Sequence, residues 1–241
     1  MSNGMDSEKI TIRGHATRAV RRVGFFTAFA AVIALVGCGG SDDSDASTKV
    51  NGSIHVAAGK PPEAVSTVNG SIHIDDDAAV TSATTVNGGV HLGSHATAGS
   101  LNSVNGSVTL GGGAHVSGDV SSVNGDFNLD DGAEISGALS NVNGKISLTA
   151  AHVARGIRTV NGNMSIIGAS HVEGGIMVKK SSGSLFQFIH EIPRIVIGPG
   201  ATVQGELRFE HPVKLYVSDK ATIGTVSGAT PISFTGDTPP T

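Results

Sequence analysis

Apolar–polar–apolar triplets recur along the chain: Ile54-His55-Val56, Ile72-His73-Ile74, Val90-His91-Leu92, Val108-Thr109-Leu110, Phe127-Asn128-Leu129, Ile146-Ser147-Leu148 and Met164-Ser165-Ile166. Alternation with a period of two predicts a β-strand with one face turned inward. Ahead of each triplet stands the tripeptide Val-Asn-Gly, beginning at Val50, Val68, Val86, Val104, Val123, Val142 and Val160, at intervals of 18 or 19 residues. With that valine as position 0, positions 0, +4 and +6 are apolar and +2 is Gly in all seven copies. Val68, Ile72 and Ile74 are therefore expected to point inward together. Position −3 is apolar in six copies (Val65, Ala83, Leu101, Val120, Leu139 and Ile157), and −7 adds Val116, Ile135 and Val153.

A unit this short cannot bury its own apolar face, so successive units must stack. The marks divide each repeat into about three short strands joined by Gly-containing corners. At about 3.3 Å per residue one turn has a perimeter near 60 Å, and stacking at about 4.8 Å gives about nine turns and a rod of roughly 45 Å. The expected fold is all-β, a single-stranded parallel β-helix with about 18 residues per coil. Its apolar marks break the six-residue beat of left-handed hexapeptide helices, which points to a right-handed coil. Composition agrees with a narrow tube: aromatic residues are 4% of the chain, Trp is absent and Gly reaches 34 of 241 residues. Val and Ile fill pleated faces, and Gly supplies tight corners.

The regular repeat spans residues 50–180. A loop over 181–193 interrupts it with Leu185, Phe186, Phe188 and Ile189, an apolar cluster that either contacts a partner or folds over the flank of the helix. Strand-like alternation then resumes over 194–235, with Ile195, Ile197, Val203, Leu207, Phe209, Val213, Leu215 and Val217, as terminal coils and cap. Residues 236–241 read as a disordered tail.

The N-terminus has another character. Arg18, Arg21 and Arg22 precede an apolar run from Val23 to Gly37, the layout of a secretory signal and too short for a membrane span. Its end, Leu35-Val36-Gly37-Cys38, resembles the bacterial lipobox. That resemblance implies cleavage after residue 37 and a lipid on Cys38, the only cysteine. With Gly rather than Asp at position 39, it implies the outer rather than the inner membrane. Residues 38–49 read as an acidic, flexible tether. Removing residues 1–37 takes away five basic and two acidic residues and leaves 11 basic and 18 acidic ones, formally −7, a balance that argues against a nucleic-acid partner.

Candidate chemistry is sparse. Stacked coils would align Asn51, Asn69, Asn87, Asn105, Asn124, Asn143 and Asn161 in an amide ladder. Position +5 would align His55, His73 and His91 on the outer face, a row that could hold a divalent metal such as zinc or copper weakly. A second row, His95, His115, His152 and His171, is broken by Glu134. Carboxylates gather at Asp75, Asp76 and Asp77, and at Asp126, Asp130, Asp131 and Glu134, where solvated corners are expected. There is no nucleophile elbow, phosphate loop or Cys/His zinc spacing, and no resident cofactor is expected.

The phrases Ala114-x-Val116-x-Gly118-x-Val120 and Ala133-x-Ile135-x-Gly137-x-Leu139 resemble bactofilins, and the Thr-Val-Asn-Gly-Ser-Ile phrase resembles envelope-associated adhesin repeats. These resemblances imply right-handed β-helices in scaffolding or adhesive roles. The expected function is a non-enzymatic, lipid-anchored envelope scaffold or interaction surface, attached to the membrane and meeting an envelope protein or polysaccharide. Three other functions fit the same residues: a self-associating, bactofilin-like filament, a carbohydrate-binding or carbohydrate-active surface, and metal binding by the histidine rows. Replacing Cys38→Ala is expected to move the protein from the membrane to the soluble fraction, read by fractionation, and to abolish the acyl mass increment in mass spectrometry.

Overall fold

The computed structural model describes residues 48–180 and 192–239; the signal segment, Cys38, almost all of the tether, and Leu185, Phe186, Phe188 and Ile189 lie outside the described residues. Within them the chain winds as a parallel β-solenoid without helices. Ile54, Ile72, Val90, Val108, Phe127, Ile146, Met164, Ile195 and Leu215 stand in one continuous register, one per coil. Their face is a sheet of ten strands, from Ile54–Val56 to Ile232–Phe234, so there are about ten coils where the sequence suggests nine. The last strand lies beyond Gly228, where the recognisable repeat stops.

Two more ladders complete the tube. One runs through Thr97–Ala98, His115–Val116, Glu134–Ile135, His152–Val153, His171–Val172, Thr202–Val203 and Thr222–Ile223. The other runs through Leu101–Asn105, Val120–Asn124, Leu139–Ser140, Ile157–Thr159, Ile176–Val178, Leu207–Phe209 and Val226–Ser227. The early strands Glu63–Asn69 and Ala79–Asn87 cross the corner between these faces and join them in one 17-stranded sheet. Where the interval grows to 19 residues the ladders keep step. Ala98 pairs with Val116 and Leu101 with Val120, so the added residue is absorbed in the corner at 117–119. The segment between Val178 and Arg194 is likewise an insertion, because Met164 pairs with Ile195 and Ile176 with Leu207.

The core is the apolar set of positions −7, −3, +4 and +6, together with a column of Ala78, Ala96, Ala114, Ala133, Ala151 and Ala201 at one corner. The terminal residues Ile195, Ile197, Val203, Leu207, Phe209, Leu215 and Val217 continue it, with Val213 packed at its margin.

One expectation is overturned. The Val-Asn-Gly valine does not point inward: Val50 is 54% exposed, and Val68, Val86, Val104, Val123, Val142 and Val160 are only half-buried. The period of two set by the inward residue at −3 puts −1 inside instead. That residue is polar, and Thr67, Thr85, Ser103, Ser122, Asn141 and Thr159 are all buried. A buried hydroxyl is tolerated when it finds a partner. Thr67 donates to the Gly52 carbonyl (3.0 Å), Thr85 to Gly70 (2.8 Å), Ser103 to Gly88 (3.1 Å) and Ser122 to Gly106 (3.3 Å). Asn141 takes the same place and donates to the carbonyls of Gly125 (3.1 Å) and Gly144 (3.3 Å). The acceptor that this spacing assigns to Thr159 is the Gly144 carbonyl, already engaged by Asn141, and Thr159 Oγ1 is buried without a partner.

The glycine at +2 follows from the same stacking. A Cβ on Gly88, Gly106 or Gly125 would overlap the carbonyl of the equivalent glycine one coil earlier, and that obstacle is backbone that cannot swing aside. Gly106→Ala is expected to cost about 3 kcal/mol, as overpacking of a filled site does. Gly112→Ala, whose Cβ would meet only the Asp131 carbonyl at 3.4 Å, should stay within about 0.5 kcal/mol of wild type. Urea unfolding followed by circular dichroism separates the two.

Candidate functional site

Parallel in-register stacking turns each position of the repeat into a row along the solenoid, so outward residues meet their own equivalents one coil away. Asn69 donates its amide to Asn51 Oδ1 (2.9 Å), Asn87 to Asn69 (2.9 Å), Asn105 to Asn87 (3.0 Å), Asn124 to Asn105 (3.0 Å), Asn143 to Asn124 (2.9 Å) and Asn161 to Asn143 (3.1 Å). Every bond points towards the preceding coil. The amides are thus occupied by one another along a corner, which is a structural use of the side chain.

His55, His73 and His91 share the outer side of the ten-stranded face. Their rings stack, with centroids 5.3 Å apart between His55 and His73 and 4.7 Å between His73 and His91, nearly parallel at 13° and 11°. A carboxylate absent from the sequence-derived row also reaches them: Asp75 Oδ2 is 2.8 Å from His55 Nε2, and Asp75 Oδ1 is 3.6 Å from His73 Nε2. His55, His73 and Asp75 place one ligand atom each within 4.8 Å of one another. His91 does not belong to that group.

The second histidine row differs from its expected membership. His95 occupies a turn with φ 57°, and the position paired with His115 is Thr97. The row therefore reads Thr97, His115, Glu134, His152, His171 and Thr202. Glu134 does not merely interrupt it. Its two oxygens lie 3.4 Å from His115 Nδ1 and 3.8 Å from His152 Nδ1. On its other side His152 presents Nε2 to Glu173 Oε1 at 3.1 Å. The His152 and His171 rings are 5.5 Å apart and tilted by 55°, and with Glu173 they form a second triad whose ligand atoms lie within 4.8 Å.

Both triads contain a His-x-carboxylate phrase, His73-Ile74-Asp75 and His171-Val172-Glu173. In a strand, residues two apart share a side, so this spacing was the available signal for Asp75 and Glu173. It is weak by itself, because the second residue stands at a corner where direction is not set by the strand.

Other carboxylates cap backbone at the corners. Asp76 Oδ1 accepts from the Ser94 N–H (2.7 Å), Asp126 Oδ1 from the Lys145 N–H (2.7 Å) and Asp119 Oδ1 from the Ala138 N–H (2.8 Å). Compared with family models, curated proteins and solved structures, the chain matches none.

Asn105 makes two ladder bonds, one given and one received, whereas Asn51 only receives one from Asn69. With roughly 1 kcal/mol per net hydrogen bond, Asn105→Ala should cost about 2 kcal/mol and Asn51→Ala about 1 kcal/mol. Equal losses in chemical denaturation would show that the column is not cooperative in this way.

Proposed function

We propose that the protein is a non-enzymatic, lipid-anchored component of a bacterial envelope whose solenoid serves as a rigid scaffold and interaction surface. The observation that carries this reading is the parallel coil-to-coil pairing through about ten turns, in one register from Ile54 to Leu215, which would make a stiff rod with flat, ladder-like sides. In this reading the lipobox-like segment and the acidic stretch that precede the solenoid in the sequence would tether it to the membrane.

Two further features support a binding role over a catalytic one. The corner carboxylates Asp76, Asp119 and Asp126 are spent on backbone amides rather than held ready for proton transfer. Among the described residues a cavity of about 120 Å³ lies over Gly174 and Gly175. Its rim carries Arg155, Arg158 and Arg208 together with Glu206, and Arg208 stands 3.8 Å from Glu210 Oε1, so Arg155 and Arg158 are its main cationic groups. Arginine suits planar recognition of carboxylates, so an acidic envelope polysaccharide is the partner this rim fits.

Cross-linking and pull-down from envelopes should recover acidic polysaccharide with the wild type. Recovery should fall with Arg155→Ala/Arg158→Ala/Arg208→Ala, and with Cys38→Ala, which leaves the rod unanchored. Turnover of envelope polysaccharide by the purified chain would sink the non-enzymatic reading, and equal recovery by the triple variant would sink the arginine rim.

A further inference from the structure

The row of outward residues on the Glu134–His152–His171 ladder is the place where unlike chemistry, rather than repeated chemistry, has been stacked. The Asn column, by contrast, repeats a single side chain whose members bond to one another. Here a carboxylate, two imidazoles and a second carboxylate from the following corner meet around His152.

We propose that His152, His171 and Glu173 bind one borderline divalent transition-metal ion, of the zinc or copper class, with Glu134 as the positioning residue behind His152. Imidazole and carboxylate donors together suit such ions, whereas calcium and magnesium favour sites built of oxygen alone. Ligand atoms around a tetrahedral zinc stand about 3.3 Å apart, given bonds of about 2.0 Å. His152 Nε2 and Glu173 Oε1 are already 3.1 Å apart. His171 completes the triad within 4.8 Å, and the exposed or half-buried side chains can rotate to close the remainder. The two ring planes are tilted by 55° and so intersect, as they must for two in-plane lone pairs to meet at one ion.

Glu134 supplies the outer contact that metal-bound histidines characteristically have. Its Oε1 stands 3.8 Å from Nδ1 of His152, while Nε2 now meets Glu173 Oε1 at 3.1 Å; with an ion on Nε2, closure of the Glu134 contact would hold the proton on Nδ1 and leave the Nε2 lone pair for the metal. Water would fill the fourth position. Because His152 and His171 lie on neighbouring coils, the ion would staple two rungs of the solenoid together.

The His55–His73–Asp75 group is the poorer site on the same criteria. Its rings are nearly parallel, so their lone pairs run side by side. His73 is also stacked on both faces, and turning it towards a metal would break its contact with His91.

The inference is independent of the scaffold reading and is tested by zinc titration calorimetry. The protein is the full chain in a Cys38→Ala background, so that no thiol competes. One zinc per chain is expected, with a rise in the unfolding temperature. His171→Ala and Glu173→Gln should each weaken binding more than tenfold, and Glu134→Gln should weaken it about tenfold, as loss of an outer-contact carboxylate does. The His55→Ala/His73→Ala double variant should bind as the parent does. Circular dichroism checks that all variants keep the parent β-content. Absence of zinc binding, unchanged affinity in His171→Ala and Glu173→Gln, or loss of binding in the His55/His73 variant would each overturn the assignment.

Discussion

Neighbouring coils are joined by parallel backbone hydrogen bonds, and most other features of the molecule follow from that contact. Strands of two to five residues have no stability of their own. Each survives because its N–H and C=O groups pair with the coil before and the coil after, as in Ile54 N–H to Ser71 O and Ile72 N–H to Gly89 O, both 2.9 Å. A coil that slipped by one residue would turn its whole apolar set outward. Register is therefore held along the ten-stranded face from Ile54 to Leu215, with a shift beside Glu63 and Ala64 on the other sheet, and the residue added where the interval reaches 19 is taken up at 117–119.

The same contact limits what can occupy each position. Where backbones approach most closely, only glycine fits, which accounts for the +2 column of the repeat. Beside it the chain turns a corner and its carbonyls face inward. They need donors within the tube, and the hydroxyls of Thr67, Thr85, Ser103 and Ser122 supply them. The interior is thus mostly aliphatic with one polar edge. That edge is satisfied at every position but Thr159, and Asn141 shows that an amide can take the place of a hydroxyl there.

On the outside, stacking places like residues about 4.8 Å apart, close enough for amides to bond and rings to stack, so two histidines of one row reach a common ion only where their rings leave the parallel stack, as His152 and His171 do. A row of identical histidines makes a stack, not a site. Convergence needs a group from a different position of the repeat, and corner residues such as Asp75 and Glu173 provide it. The chemically distinctive parts of this surface therefore lie where a row meets a corner.

The all-β class, the coil length, the three faces and the inward aliphatic residues were legible in the sequence, because period-two alternation and an 18-residue repeat admit few other packings. The Asn rows and the His55–His73–His91 row were legible for the same reason, since equal spacing along the chain becomes adjacency in a stack. Three things were settled only by the tertiary structure. The Val-Asn-Gly valine turned out and its polar neighbour in, because the direction of a residue at a corner depends on which carbonyls await a donor inside. His95 left its row because the turn before Ala96 takes it into a left-handed conformation. Glu134, His152, His171 and Glu173 came together because residues 39 positions apart in the chain stand only two coils apart in the solenoid, and side-chain direction at the corner beside them is set by the stack, not by the local sequence.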